Sequence, residues 1–178
     1  MSPASAAYTS VAKWLHWLMA LVIFAAWCIG YYAHEFMPKG PERTEMFGVH
    51  KAIGTAVLLL ILLRMAWRAT HPAPSQGLAP WLHNVSRAAH GVLYFLMLAM
   101  PITGWLMTSA KGRDVHFLGL WQLPALLEKN ADLARLFEDA HKLMAWVILS
   151  LVLAHVLAAL HHHFIRRDNV LRSMLPGR

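Results

Sequence analysis

Apolar residues dominate four long stretches of this chain, and polar residues are gathered between them. Val11 to Tyr32, Met46 to Trp67, Ala88 to Thr108 and Lys142 to Phe164 each meet the requirement of about 20 mainly apolar residues for a membrane-spanning helix. The first is too long and too rich in tryptophan for a cleaved signal peptide, and no small-x-small cleavage site follows it. It reads as a retained helix. THPAPSQGLAP, carrying Pro72, Pro74, Gly77 and Pro80, marks one connection. The longest connection, residues 109–141, contains LPALLEKNADLARLFEDAHK, whose apolar and charged positions alternate at helical spacing. That pattern predicts a short helix lying on the membrane surface. Residues 1–178 form one domain, an all-α, polytopic four-helix membrane bundle.

Composition agrees with this reading. The chain has 178 residues with eight tryptophans and ten methionines, and its mean hydropathy is +0.44. Cys28 is the only cysteine, so neither an internal disulfide nor covalent CxxCH attachment of haem is possible. Charge orients the bundle. Lys13, Arg64, Arg68, Arg87, Arg166, Arg167, Arg172 and Arg178 against Asp168 place the whole net charge of +7 on one side. The positive-inside rule makes that side, with both termini, cytoplasmic. A high pI also suits nucleic-acid binding, but four apolar spans argue against a nucleic-acid partner and for membrane lipid.

The histidines carry the candidate chemistry. His141 and His155 are fourteen residues apart, about 21 Å of rise with a rotation within roughly 40° of one helix face. In alternating helices, His16 shares the inner depth of His155, and His50 the outer depth of His141. Facing imidazoles of this kind suit low-spin haem iron, so the pattern predicts two haem sites. Gly30, fourteen residues beyond His16, and Gly54, one turn after His50, make room for the outer macrocycle or simply permit close helix packing. Pro101 should bend the third helix, and Gly104 widens it. His90 is expected to bond a propionate or a headgroup. His34, His71, His83 and His116 read as solvated. Zinc is disfavoured because there is no HExxH or close Cys/His cluster. A proton channel is disfavoured by the scarcity of polar residues in the spans.

AKWLHWLMAL, VHKAIGTAVLLLILLRMAWR, AAHGVLYFLMLAMPITGWLM, LGLWQLPALL and HKLMAWVILSLVLAHVLAALHHHF together resemble the successive signatures of the bacterial cytochrome b561 family, including its superoxide oxidase type. The resemblance covers nearly all of Tyr8 to Arg167. It implies a bacterial inner-membrane protein with two non-covalent b-type haems, His16 and His155 on one iron and His50 and His141 on the other. For the superoxide oxidase type it implies that periplasmic superoxide gives electrons to ubiquinone. Lys51 and Lys142, each next to an outer ligand, are candidates to guide the anion, with Lys111 or Arg113 at the same rim; equally, they bind propionates. Lys13, Arg166 and Arg167 are candidates for the inner propionates. His162 and Trp14 are candidates to frame a quinone, or only to anchor the interface. Two other functions stay open. One is a cytochrome b subunit serving a dehydrogenase or other redox protein partner; the other is a haem-dependent membrane sensor.

Overall fold

A computed structural model describes residues 7–74 and 78–176. Gly77, Arg178 and the first six residues lie outside the described residues. Four helices run in alternating directions: α1 (Ser10–Glu35), α2 (Pro41–Thr70), α3 (Pro80–Ala110) and α4 (Ala131–His161). All are long and apolar enough to cross a membrane. At 26, 30, 31 and 31 residues they reach roughly 39 to 46 Å, beyond the ~30 Å of hydrocarbon, so their ends emerge into the headgroup layers. Leu21, Phe24, Leu62, Phe95 and Leu153 are exposed on their outer faces. Such side chains are in place when the surrounding solvent is lipid rather than water.

Local chemistry sets the helix starts. Thr9 caps α1, its Oγ1 accepting the Ala12 N–H and also the Trp67 indole N–H at the far end of α2. Pro41 and Pro80 begin α2 and α3, where the missing N–H costs nothing. Asn130 caps α4 through bonds of 3.0 Å from the N–H groups of Asp132 and Leu133. The α3 helix continues through Pro101. Thr103 Oγ1 donates to the Met100 carbonyl nearby, at 2.8 Å. The principal contacts join α1 to α2, α3 to α4 and α2 to α3.

The long connection differs from expectation. No separate surface helix is present there among the described residues; residues 131–141 are instead the first turns of α4. Asn130 starts that helix, and nothing between Ala131 and His141 breaks it, so the amphipathic turns run directly into the span. Ahead of it lies a small antiparallel hairpin, β1 (His116–Phe117) and β2 (Trp121–Gln122). Leu118 and Gly119 turn the chain at φ 51° and 75°. The hairpin is bonded to α2: the Leu118 N–H donates to Thr55 Oγ1 at 2.8 Å, and Lys51 Nζ to the Asp114 carbonyl at 2.9 Å. This is the hairpin end of the bundle. At the opposite, tail end, α4 passes into a single π turn, His162–Arg166, and Arg167 leaves it in the left-handed region at φ 53°.

Candidate functional site

Two pairs of imidazoles face each other inside the bundle. Near the hairpin end, the His50 and His141 ring centres are 6.2 Å apart with planes at 82°. Near the tail end, His16 and His155 stand 6.3 Å apart at 68°. A metal–nitrogen bond of about 2.0 Å and roughly 1.1 Å from nitrogen to ring centre, taken on both sides, place collinear axial ligands about 6.2 Å apart. Both separations fit iron held between two rings. His50 Nδ1 donates to the Ala26 carbonyl at 2.9 Å, and His141 Nδ1 lies 3.2 Å from Thr103 Oγ1. These bonds occupy Nδ1 and leave Nε2 of each ring available to bind a metal.

Each helix contributes to both levels at the same spacing. Position pairs 16 and 30, 50 and 64, 90 and 104, and 141 and 155 are all fourteen apart. The hairpin-end level therefore holds Gly30, His50, Gly104 and His141, and the tail-end level His16, Arg64, His90 and His155. A Cβ at Gly30 would stand 2.7 Å from His50 Cε1. At Gly104 it would stand 3.2 Å from His141 Cε1. Gly30 thus makes room for the histidine ring itself, a closer demand than the expected clearance for a macrocycle. Gly54 meets nothing within 4 Å; it lines a cleft of about 480 Å³, open mouth included, with His50, Lys51, Thr55, Gly104 and His141.

At the tail-end level, His90 sits edge-on to His155 with ring centres 5.3 Å apart, and its Nδ1 donates to the Ser86 carbonyl at 2.6 Å. Arg64 reaches across the bundle, donating from Nε to Tyr94 Oη at 2.9 Å and from a terminal nitrogen to the Ala12 carbonyl at 3.1 Å. Sequence reasoning treated Arg64 only as topological charge. The signal that finds it is its fourteen-residue offset from His50.

The geometry separates the lysine candidates. Lys142 Nζ is paired with Glu138 at 2.8 Å, and Lys111 Nζ holds the other oxygen of the same carboxylate at 2.6 Å. Lys51 donates to a neutral carbonyl and lies at the cleft. His116, expected to be plainly solvated, lines an adjoining recess with Gly48, Lys51 and Gly119. At the tail end, Lys13 is buried at 3 % exposure, while Arg166 and Arg167 are exposed. Trp14 is 67 % exposed and makes no hydrogen bond or ring contact among the described residues, the disposition of an interface anchor. His162 Nδ1 donates to Asp168 Oδ2 at 2.5 Å. Asp168 is held in turn by the Val170 N–H on its other oxygen.

The profile of the prokaryotic cytochrome b561 family matches residues 7–177. The chain belongs to that family. It is therefore a multi-pass membrane cytochrome with b-type haem, and its chemistry is electron transfer. A protein named cytochrome b561 homolog 2, from Escherichia coli K12, is 30% identical over 94% of this chain and 90% of its own length. A probable superoxide oxidase from Yersinia pestis is 29% identical over 95% and 96%. A probable Ni/Fe-hydrogenase B-type cytochrome subunit from Rhizobium leguminosarum is 23% identical over 96% and 86%.

Proposed function

We propose that this cytochrome carries two b-type haems, one on His50 and His141 and one on His16 and His155, and passes electrons from superoxide to ubiquinone. The observation that carries the reading is the pair of facing imidazoles at each of two levels, 6.2 and 6.3 Å apart. In this reading the protein lies in a bacterial inner membrane with the hairpin end in the periplasm and both termini in the cytoplasm, an orientation that the asymmetric charge of the connections supports. Haem b, when bound, would supply reversible one-electron chemistry, with His50 and His141 holding one haem and His16 and His155 the other.

The remaining work falls to protein side chains. Lys51 gives the cleft a cation whose direct partner is a neutral oxygen, so its field stays available to draw an anion to the periplasmic mouth. Lys142 and Lys111 share the charge of Glu138 and contribute less attraction. The bonds from His50 to Ala26 and from His141 to Thr103 hold both rings in one orientation. At the cytoplasmic end, Asp168 orients His162, leaving its Nε2 to exchange a proton with a quinone oxygen. The reaction balances when two superoxide ions lose one electron each to give two molecules of oxygen, and one ubiquinone gains two electrons and two protons to give ubiquinol. Likeness to the probable superoxide oxidase supports this donor. Likeness to the hydrogenase cytochrome subunit supports a second reading, delivery of electrons from a protein partner.

The test is rapid mixing of purified, haem-loaded protein with superoxide and a soluble ubiquinone, with haem absorbance and ubiquinol followed together. Fast haem reduction followed by ubiquinol at half the superoxide consumed is the expected result. Haem that responds only to a reduced partner protein would transfer the assignment to the second reading.

A further inference from the structure

We infer that Arg64 is the residue that makes the tail-end redox centre the easier of the two to reduce, and so gives electron flow its direction. The inference rests on the two-haem reading above. The position of Arg64 in α2 is as informative as its charge. Fourteen residues beyond His50, it returns to the helix face that looks into the bundle, about 21 Å further along. Its guanidinium bonds the carbonyl of Ala12, the same carbonyl that the His16 N–H reaches in the helical i to i−4 pattern. On the other side it bonds Tyr94 Oη, one turn after His90, and lies 5.8 Å from the centre of the Tyr94 ring. Three helices therefore fix the cation one turn from a proposed ligand, on the side toward the tails.

The two levels differ in how their cations are answered. Both of Arg64's hydrogen-bond acceptors are neutral oxygens, and no carboxylate pairs with it among the described residues. An arginine stays charged under all working conditions. In a medium of low dielectric, an unanswered cation favours whichever neighbouring redox state carries one more electron. At the hairpin end, Gly30 and Gly104 bring no charge into the level of the rings, and two of the rim lysines share the single charge of Glu138. Lys51 also bonds a neutral carbonyl, but that bond is solvent-exposed at the open cleft, where solvent and salt screen its field at the rings more than they screen Arg64. The bias therefore points toward the tails, where the quinone is proposed to bind.

The test is a potentiometric titration of haem-loaded protein, with the two haems assigned by parallel His16→Ala and His50→Ala variants. Arg64→Gln should lower the tail-end reduction equilibrium by about tenfold, ~59 mV for a one-electron couple, with the hairpin-end potential unmoved. Arg64→Lys keeps the charge and should retain most of the parental value. Tyr94→Phe removes a hydrogen bond but no charge, and should also stay near it. A fully loaded Arg64→Gln protein with both parental potentials overturns the inference. If Arg64→Gln fails to load the tail-end haem, Arg64→His supplies the contrast within one protein. Its tail-end potential must then fall with rising pH more steeply than the parent's, and a parental slope overturns the inference equally. A parent protein that binds one haem per chain, or keeps both after His16→Ala, refutes the two-haem reading itself, a result separate from unmoved potentials in a two-haem protein.

Discussion

The two imidazole levels are built on one plan and finished differently. Each takes one position from every helix, and in each the opposed rings stand just over 6 Å apart. At the hairpin end the other two corners are Gly30 and Gly104, so the level is defined by backbone brought close to the rings. At the tail end those corners are Arg64 and His90, which bring hydrogen-bond donors and a fixed charge. On the proposed two-haem reading, the contrast teaches that identical imidazole pairs need not make equivalent redox centres. Corner residues that touch no iron can set how tightly a ring is seated and how readily an electron stays.

Ligand removal breaks the comparison most severely. His50→Ala and His16→Ala should each lose one of two haems, about half the content by a haem-to-protein assay. Loss of the same haem in both variants would undo the pairing by level. Steric change at the corners comes next. Gly30→Val should disturb the His50 level at a cost of about 1–3 kcal/mol, read as loss of hairpin-end haem and a lower midpoint of thermal unfolding. Gly104→Ala, whose Cβ meets His141 at 3.2 Å, should cost less, and Gly54→Ala, with open space around it, almost nothing. A reversed order would contradict the assigned clearances.

Charge at the hairpin end sharpens the comparison on a finer scale. Lys51→Gln should slow the superoxide reaction roughly threefold to tenfold at low ionic strength, with the difference fading at high salt. Lys142→Gln should slow it less, because Glu138 already offsets that charge. Equal effects would mean that the cleft does not receive the anion. The smallest change expected is in Thr103→Val, which removes the oxygen beside His141 Nδ1. A loss of about 1 kcal/mol of stability should leave both haems bound, as denaturant unfolding and absorbance together will show.

The spans and the paired histidines were legible because both depend on simple periods: about twenty apolar residues per crossing, and fourteen residues for a return to the same helix face. The hairpin was not, since strands of two residues carry no alternation to detect; their place is fixed by Thr55 and Lys51, far away in the chain. The supposed surface helix was real as a helix and misread as a separate one. Its polar face belongs to the protruding first turns of α4. Arg64 was hidden for a different reason. A basic residue near the end of a span looks like a topological charge, and only the bond to Ala12 shows it turned inward. The Asp168 partner of His162 was equally obscure, because Arg167, in the left-handed region after the π turn, folds the chain so that the Asp168 N–H bonds back to the His162 carbonyl.

That wider turn makes the tail end unusually sensitive to residue count. Five residues fill a loop of helix where four would ordinarily do, so the chain beyond His162 is advanced by one place around the axis. Deleting a single amino acid between His162 and Arg166 would swing Asp168 roughly 100° from the imidazole it holds, although every side chain of the pair remained in the protein. For this corner of the molecule, an altered length is a graver injury than almost any exchange of one residue for another.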